Sequence, residues 1–377
     1  MDSFLKTINM TNKILLSIIL LSLSFPFFGQ DYQFKIINNI ENSTVKNQGQ
    51  TGTCWSFATS SFLESEIYRI NGIHVDVSEM FIVRNTYDQK AWNYLMRQGK
   101  SQFSEGGLAH DVINAVADYG IAPQSAFLDI YGKNSTYNHT VVIPKVKEIL
   151  DAYIKNGKDS KHPNWKNDVA LILDKEIGKK TIKFMKNGVK YNPISYRKFL
   201  KIIPDDYISI TSFTHEDYYT KFVLNIPDNF SNGSFYNVPL DDLVNITKNA
   251  LQQGFTISLD VDVSEKTFIT KTGVATLPIK NSKTSIPEEI EVTDQLRQQE
   301  FENFNTTDDH LMHITGIVED AKGTTYFKVK NSWGGNSQRV GNNGYIYMSV
   351  PYFKMKAISI LLHKDALSKK MKQKIKL

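Results

Sequence analysis

The chain has very little cysteine. Its 377 residues include one, Cys54, so no internal disulfide can form, and a chain of this length can bury a core that folds without such cross-links. The formal net charge is only +5, and no dense stripe of lysine and arginine with interleaved aromatic residues occurs. Nucleic-acid binding is therefore not expected. No repeat or low-complexity block is present, and the 41% hydrophobic and 22% charged shares are ordinary for a soluble globular protein.

The apolar run at the N-terminus is too short to cross a bilayer comfortably. It covers residues 14–25 and follows Lys6 and Lys13. This length and charge pattern are typical of a secretory signal. We predict that residues 1–30 are a signal peptide and that the mature chain is exported to the periplasm or outside the cell. No stable membrane insertion is expected after the signal is removed, and an uncleaved anchor is the alternative.

The single cysteine stands at the start of a predicted helix. From Cys54 to residue 70, aromatic and aliphatic side chains recur at helical spacing. Thiols react as thiolates, and the positive end of a helix dipole, together with a nearby imidazolium, stabilises a thiolate at neutral pH. An unpaired thiol in an exported protein is exposed to oxidation, which suggests a chemical use. A buried structural cysteine is the alternative.

The remaining patterns predict helices toward the front of the chain and strands toward the back. Helices are expected from residue 78 into the early nineties and at 110–119, 146–154, 168–177 and 237–253; strands are expected at 207–213, 256–263, 310–319, 325–331, 344–349 and 357–363. Residues 282–300 are polar and charged, and we predict an exposed connection or a short helix there. This arrangement indicates an α+β protein whose two lobes form a cleft.

Two strand-like segments carry candidates for the partners that a reactive thiol needs. Acyl transfer requires a base, a group that orients the base, and donors for the oxyanion. His310 opens one strand-like segment and Asn331 ends the other. Alternation puts Asn331 on the apolar face with Phe327 and Val329, where its carbonyl suits an imidazole N–H. Trp333 would cover this pair and exclude water.

Further polar residues in these segments are interpreted as structural. His313 is at odd spacing from His310, which places it on the opposite strand face. Asp260 and Asp262 share a strand face as metal ligands would, but no further ligands cluster with them, so no metal site is predicted. Asp308 and Asp309, directly before His310, are expected to be a solvated strand entry; the alternative is that they tune His310.

Three motifs, taken in order, resemble those of papain-like cysteine peptidases. They are the segment from Gln48 to Cys54-Trp55, His310 in its strand, and Asn331-Ser332-Trp333-Gly334. The resemblance implies that Cys54 is the nucleophile, His310 the general base and acid, and Asn331 the orienting residue. The side-chain amide of Gln48 and the backbone N–H of Cys54 would form the oxyanion hole. Alternatively, Gln48 is simply a loop residue.

A fourth short motif bears on the substrate groove. Gly106-Gly107 resembles the paired glycines that line this groove in the family, where a missing Cβ lets a peptide backbone approach closely. With Trp333, these glycines are the implied substrate-binding residues. A simple turn at Gly106-Gly107 is the alternative.

Departures from the compact secreted enzymes point to one branch of the family. Thr51 replaces the usual cysteine three positions before the nucleophile, and the separation between Cys54 and His310 is large. Both features resemble the bleomycin hydrolase and aminopeptidase C branch. That likeness implies a papain-like two-lobed fold, with a helical lobe, a β-barrel-like lobe and a large insertion between the Cys and His motifs.

The resemblance also implies a division of the mature chain. A single peptidase domain would cover residues 31–377, with a helical lobe at about 31–144, the insertion and the start of the β lobe at 145–305, and the β lobe with the C-terminal tail at 306–377.

In this branch the C-terminal carboxylate lies in the cleft and binds the free amine of the substrate, and many members are homohexamers. Here the tail is basic, which would repel an ammonium group.

The expected function is therefore an exported cysteine peptidase that hydrolyses peptides through a thioester acyl-enzyme, with no cofactor and no metal. Aminopeptidase action is expected from the branch, and endopeptidase action is the alternative. Two different classes of function also fit the motifs, namely a noncatalytic peptide-binding protein and a transferase that joins acyl groups to amines.

Overall fold

Helices form the first part of the structure, a computed structural model that describes residues 33–127, 129–130, 136–279, 286–335 and 339–377. Helices α1 to α6 are Cys54–Asn71, Glu79–Met96, Ala109–Tyr119, Val142–Asn156, Trp165–Glu176 and Pro193–Phe199. Local sequence sets several of their ends. Ser78 caps α2 by accepting a hydrogen bond from the Phe81 N–H, and Gly72 ends α1 in the left-handed conformation.

Strands form one large sheet and one small hairpin within the described residues. Strands β1 to β13 are Lys35–Asn39, Phe184–Lys186, Val189–Tyr191, Tyr207–Thr211, Lys221–Val223, Ser234–Asn237, Ile257–Val261, Phe268–Ile269, Val274–Ala275, His310–Glu319, Thr325–Lys330, Tyr345–Ser349 and Ala357–His363. The hairpin pairs β2 with β3. The 11-stranded sheet has the order β5-β6-β4-β13-β7-β10-β11-β12-β9-β8, and β1 adds to β10. Its pairs are antiparallel except β4–β6 and β12–β9.

The sheet separates two hydrophobic cores. On one face β10 and β7 lie against α1, with His313 Nδ1 2.9 Å from Ser61 Oγ and Ser258 Oγ 3.0 Å from Thr59 Oγ1. Met312 points to the other face, where the second core is covered by α7 to α10, at Leu240–Gln252, Asp294–Glu302, Val350–Lys356 and Lys369–Lys374. The start of α1 therefore lies beside the start of β10. The candidate nucleophile Cys54 begins α1, and the candidate base His310 begins β10.

Most predicted elements are present, and the differences have local causes. The helix expected at 237–253 begins only at Leu240, because Pro239 disfavours helical backbone in the residue before it. Asn237 instead ends β6, and its side chain accepts a hydrogen bond from the Phe213 N–H at 2.9 Å. In the polar segment 282–300, residues 282–285 lie outside the described residues, and α8 starts at Asp294 behind a Thr293 cap.

The lysines of the basic tail lie at the surface, while two apolar side chains of the tail are buried. Helix α10 carries it back onto the protein, with Met371 and Ile375 buried in the second core. Lys374 Nζ lies 2.8 Å from Tyr219 Oη. Residues 369–375 are thus held on the sheet face opposite α1.

The predicted signal peptide at 1–30 lies outside the described residues. Among the residues that are described, no helix combines the length and apolar character needed to cross a membrane.

Candidate active site

Cys54 begins α1, at the interface between the helices and the sheet. Its side chain is largely buried, with 9% of its surface exposed. The backbone N–H of Leu311 donates a hydrogen bond to the thiol sulfur, and Leu311 is the residue after His310 in β10. The fold therefore brings the lone cysteine to the strand that carries the candidate base, although 256 positions separate the two in sequence.

His310 and Asn331 form the second half of the site. His310 Nε2 lies 2.9 Å from Asn331 Oδ1, and the Ser332 N–H donates to the same oxygen at 2.7 Å. Because this atom accepts from a backbone N–H, it is the amide oxygen, so the proton on His310 lies on Nε2. The other ring nitrogen, Nδ1, is then left as the proton acceptor. The orientation fits a base for the thiol.

Trp333 covers the imidazole as the sequence predicted. Its ring stacks on His310 with 4.7 Å between centroids and an interplanar angle of 29°. His310 is 4% exposed under this cover. Burial lowers the pKa of His310 to about 4, against the hydrogen bond that His310 donates to Asn331, which favours the charged ring.

The charge state of Cys54 differs from the resting thiolate expected from its helix position. Burial raises the pKa of the Cys54 thiol to about 12; the Leu311 N–H opposes this, and the carboxyl groups of Asp308, Asp228 and Asp260 add to it. Thiol and imidazole are therefore both neutral in this arrangement. A thiolate forms here by transfer of the thiol proton to His310, which leaves the net charge of the pair unchanged.

Gln48 is buried next to the same strand. Its Oε1 accepts a hydrogen bond from Ser332 Oγ at 2.5 Å, and its Nε2 donates to the Thr51 carbonyl at 2.7 Å. An amide nitrogen has two hydrogens, so one remains after the bond to Thr51. The first N–H groups of a helix also lack intrahelical acceptors, which applies to Cys54. These donors suit an oxyanion beside the sulfur.

The paired glycines lie against the aromatic residue that follows the cysteine. Trp55 Nε1 donates to the Glu105 carbonyl at 2.9 Å, and a Cβ on Gly107 would lie 3.2 Å from the Trp55 ring. A Cβ on Gly106 would overlap Asp228 Oδ2, so no side chain fits there without displacing that carboxylate. Both glycines are needed for close packing, and Gly106 faces a residue that the sequence did not suggest.

The family follows from sequence profiles. The profile of the Peptidase C1-like family matches residues 176–377, which is more than half of the chain. The profile of the papain family cysteine proteases matches residues 34–192. The chain belongs to the Peptidase C1-like family. It is a cysteine-type peptidase, in agreement with the resemblance found in its motifs.

Individual proteins match this peptidase over most of the chain. Aminopeptidase G of Lactobacillus delbrueckii subsp. lactis is 23% identical over 374 residues, covering 88% of this chain and 83% of that protein. Aminopeptidase C of Listeria monocytogenes serovar 1/2a is 23% identical over 382 residues, covering 89% and 83%. The crystal structure of PepW from Lactobacillus rhamnosis matches with a TM-score of 0.71 at 18% identity, covering 91% of this chain and 84% of that one. This confirms the predicted papain-like α+β fold.

Residues missed by the sequence interpretation form an acidic group beside the site of this family member. The Asp308 carboxyl accepts a hydrogen bond from the Asp228 N–H and another from the carboxyl of Asp260. Asp260 is buried, and burial and the neighbouring Asp308 hold its pKa well above the usual range. Of the two aspartates before His310, Asp308 is thus partly buried rather than solvated, whereas Asp309 is exposed as expected. The strand pattern indicated β7 around Asp260 but not the burial of its carboxyl, and no local signal indicated Asp228.

The remaining sequence candidates have structural partners. His313 lies on the opposite strand face from His310 and contacts Ser61. Asp262 accepts hydrogen bonds from the Ser264 and Thr307 N–H groups, at 2.7 and 2.8 Å. Within the described part of the chain, no group of three or more histidine, cysteine or acidic side chains is arranged to hold a metal ion.

Proposed function

We propose that this peptidase is an exported aminopeptidase that removes N-terminal residues from peptides through a thioester intermediate on Cys54. The observation that carries the proposal is a pair of contacts at the start of β10. The Leu311 N–H binds the Cys54 sulfur, while Asn331 Oδ1 fixes the Nε2 proton of the adjacent His310. Nucleophile, base and orienting group are thereby supplied by three distant segments.

The first half of the reaction forms the acyl-enzyme. His310 Nδ1 takes the thiol proton as the sulfur attacks the carbonyl carbon of the first peptide bond. The resulting oxyanion accepts hydrogen bonds from the Gln48 amide and the Cys54 N–H. His310 then gives the proton to the leaving amine, the C–N bond breaks, and a thioester remains on Cys54.

The second half restores the enzyme. A water molecule gives a proton to His310 and attacks the thioester carbonyl. Collapse of this intermediate breaks the C–S bond, releases the N-terminal amino acid, and returns the proton to the sulfur. Asn331 holds the imidazole through both halves, and Trp333 limits the access of water to the His310–Asn331 bond. No cofactor is required, only a reduced thiol.

Aminopeptidase rather than endopeptidase action is supported by the relatives. Those that match nearly the full chain, such as aminopeptidases G and C, carry that activity in their names. Export is supported by the predicted signal in residues 1–30. N-terminal sequencing of the protein recovered from cell fractions tests this part, and an intact N-terminus in the cytoplasmic fraction would exclude export.

The catalytic proposal is tested with Cys54→Ala and with Ser60→Ala as a matched change within the same helix. We expect Cys54→Ala to lose hydrolysis of aminoacyl fluorogenic amides and labelling by an epoxide thiol probe, and Ser60→Ala to keep both. Comparison of free and N-acetylated peptides then separates the two modes of action. Strong turnover of blocked peptides would indicate an endopeptidase, and full activity of Cys54→Ala would exclude the mechanism.

A further inference from the structure

A loop from the sheet crosses to the helices beside the site. Residues 224–233 connect β5 to β6, and Asn229 braces them by donating to the Leu224 and Gly233 carbonyls at 2.8 and 2.9 Å. At the helical side, Ser231 Oγ donates to Asp111 Oδ1 at 2.6 Å. At the sheet side, the Asp228 N–H donates to the Asp308 carboxyl, two residues before His310. The loop is therefore held both to the helices and to the sheet.

Asp228 places its carboxylate at the paired glycines. One oxygen, Oδ1, accepts from Gln102 Nε2 at 2.8 Å and from Ser104 Oγ at 3.3 Å. The other oxygen, Oδ2, is the atom that a Cβ on Gly106 would overlap. No hydrogen bond to Oδ2 is made by the residues that the structure describes. One oxygen thus holds the side chain in place, and the other lies against Gly106 without a hydrogen bond from the described residues.

Negative charge exceeds positive charge around this position. Lys90 is the nearby cation; it is buried and donates to the Gly106 carbonyl. It faces three carboxylates, those of Asp228, Asp111 and Glu105. On the other side of the loop stand Asp308 and Asp260, and together with Asp228 they act on Cys54. A cation bound between Asp228 and Cys54 would offset this field and favour ionisation of the thiol.

We propose that Asp228 is the specificity-determining residue of this groove and that its carboxylate binds the α-ammonium group of the substrate's first residue. This inference rests on the proposed aminopeptidase function. An ammonium on Oδ2 would gain a charge-assisted hydrogen bond and would set the distance from the chain terminus to the bond that Cys54 attacks. Because Gln102 and Ser104 hold the other carboxylate oxygen, the position of Oδ2 beside Gly106 is fixed.

Asp228→Asn tests the proposal, because an amide keeps an acceptor for Gln102 and Ser104 and removes the charge. Asp217→Asn, an exposed residue of the same inserted region, is the matched control. For free aminoacyl amides we expect kcat/KM of Asp228→Asn to fall roughly 10- to 100-fold, mainly through KM. N-acetylated substrates should be cleaved no worse than by the wild type, and the control should match the wild type on both.

Two measurements keep the test independent of folding and of catalysis. With the wild-type enzyme, substrates that carry a hydroxyl or a hydrogen in place of the amine should show a fall in kcat/KM as large as the one expected for Asp228→Asn with free aminoacyl amides. In a Cys54→Ala background, titration calorimetry should show tighter binding of a free dipeptide than of its N-acetyl form, and Asp228→Asn should abolish the difference. Equal use of free and des-amino substrates, or an unchanged preference in Asp228→Asn, would overturn the role of Asp228 while leaving the peptidase proposal intact. Hydrolysis by Cys54→Ala would instead refute the peptidase mechanism, and the binding titration would still decide the role of Asp228.

Discussion

Ser332 donates a hydrogen bond from Oγ to Gln48 Oε1 across 2.5 Å, and the Gln48 N–H donates to the Ser332 carbonyl at 2.8 Å. The residue after Asn331 therefore holds the loop that precedes Cys54. Since the hydroxyl occupies Oε1, the amide nitrogen of Gln48 is turned toward Thr51 and the start of α1. The orienting residue of the base and the proposed oxyanion donor are linked through a single serine.

Loss of the Gln48 amide should mainly slow the chemical step. We expect Gln48→Ala to lower kcat about 100-fold with little change in KM, because an oxyanion donor acts in the transition state. Ser332→Ala should lower kcat by a smaller factor, since the amide remains but is no longer held. Gln50→Ala, an exposed glutamine in the same loop, is the control. Steady-state kinetics decide this, and a change confined to KM would contradict the oxyanion role.

Replacing Asn331 by aspartate should change the pH dependence of the reaction. A carboxylate at this position would stabilise the imidazolium, so the pKa of His310 should rise from about 4. His310 accepts the thiol proton only when neutral, and activity must therefore be lost as pH falls through its pKa. We expect the acid limb of kcat/KM to move upward by about one unit or more in Asn331→Asp. Asn303→Asp, on the surface, should leave the limb in place; an unmoved limb in Asn331→Asp would contradict the pairing.

The elements that position the site were predictable because each has a strong local pattern. Helical spacing after Cys54 indicated α1, and the alternation from His310 onward indicated β10, both within a residue or two of the observed bounds. Asn331 and Trp333 come directly after the end of β11. Because β11 pairs with β10, which begins with His310, this pairing alone brings both residues close to His310. The family motifs then supplied the connection between segments that spacing alone cannot provide.

The acidic group escaped prediction because its chemistry arises from tertiary contacts. Asp228 lies in a loop with no periodic pattern, and its importance depends on meeting Gly106, which is 122 positions earlier. Asp308 looked solvated because acidic residues before a strand usually are, but Asp260 and the crossing loop enclose it. The resting charge of Cys54 was mispredicted for the same reason. The sequence showed its position at the start of a helix, but it did not show the burial of the thiol or the carboxylates near it.

Lys46 should be essential to stability because it neutralises buried acids between α1 and α2. Its Nζ lies 3.1 Å from Glu64 and 2.6 Å from Glu79, both of which are buried. Burial raises the pKa of Glu79 to about 7 even with this cation present. Lys46→Met should therefore cost about 3–5 kcal/mol of unfolding free energy, and Glu79→Gln in the same chain should restore part of it. Urea unfolding measures both, with Lys271→Met on the surface as control; a loss below about 1 kcal/mol would show that the acids are stable without the lysine.

Asp308→Asn should make the protein more stable above neutral pH. Burial and the charge of Asp228 raise the pKa of Asp308 from 3.8 to about 7. A folded-state pKa above the unfolded value gives stability that is complete below about pH 4 and is lost as pH rises through 7. The amide avoids this loss and its oxygen still accepts from the Asp260 carboxyl, so the variant should match the wild type near pH 4 and exceed it by roughly 2–4 kcal/mol at pH 8. Denaturant melts at both pH values, with Asp217→Asn alongside, test the sign. A gain of the same size at pH 4 would mean that packing rather than ionisation is responsible, and a loss at pH 8 would mean that the Asp308 carboxylate is stabilising.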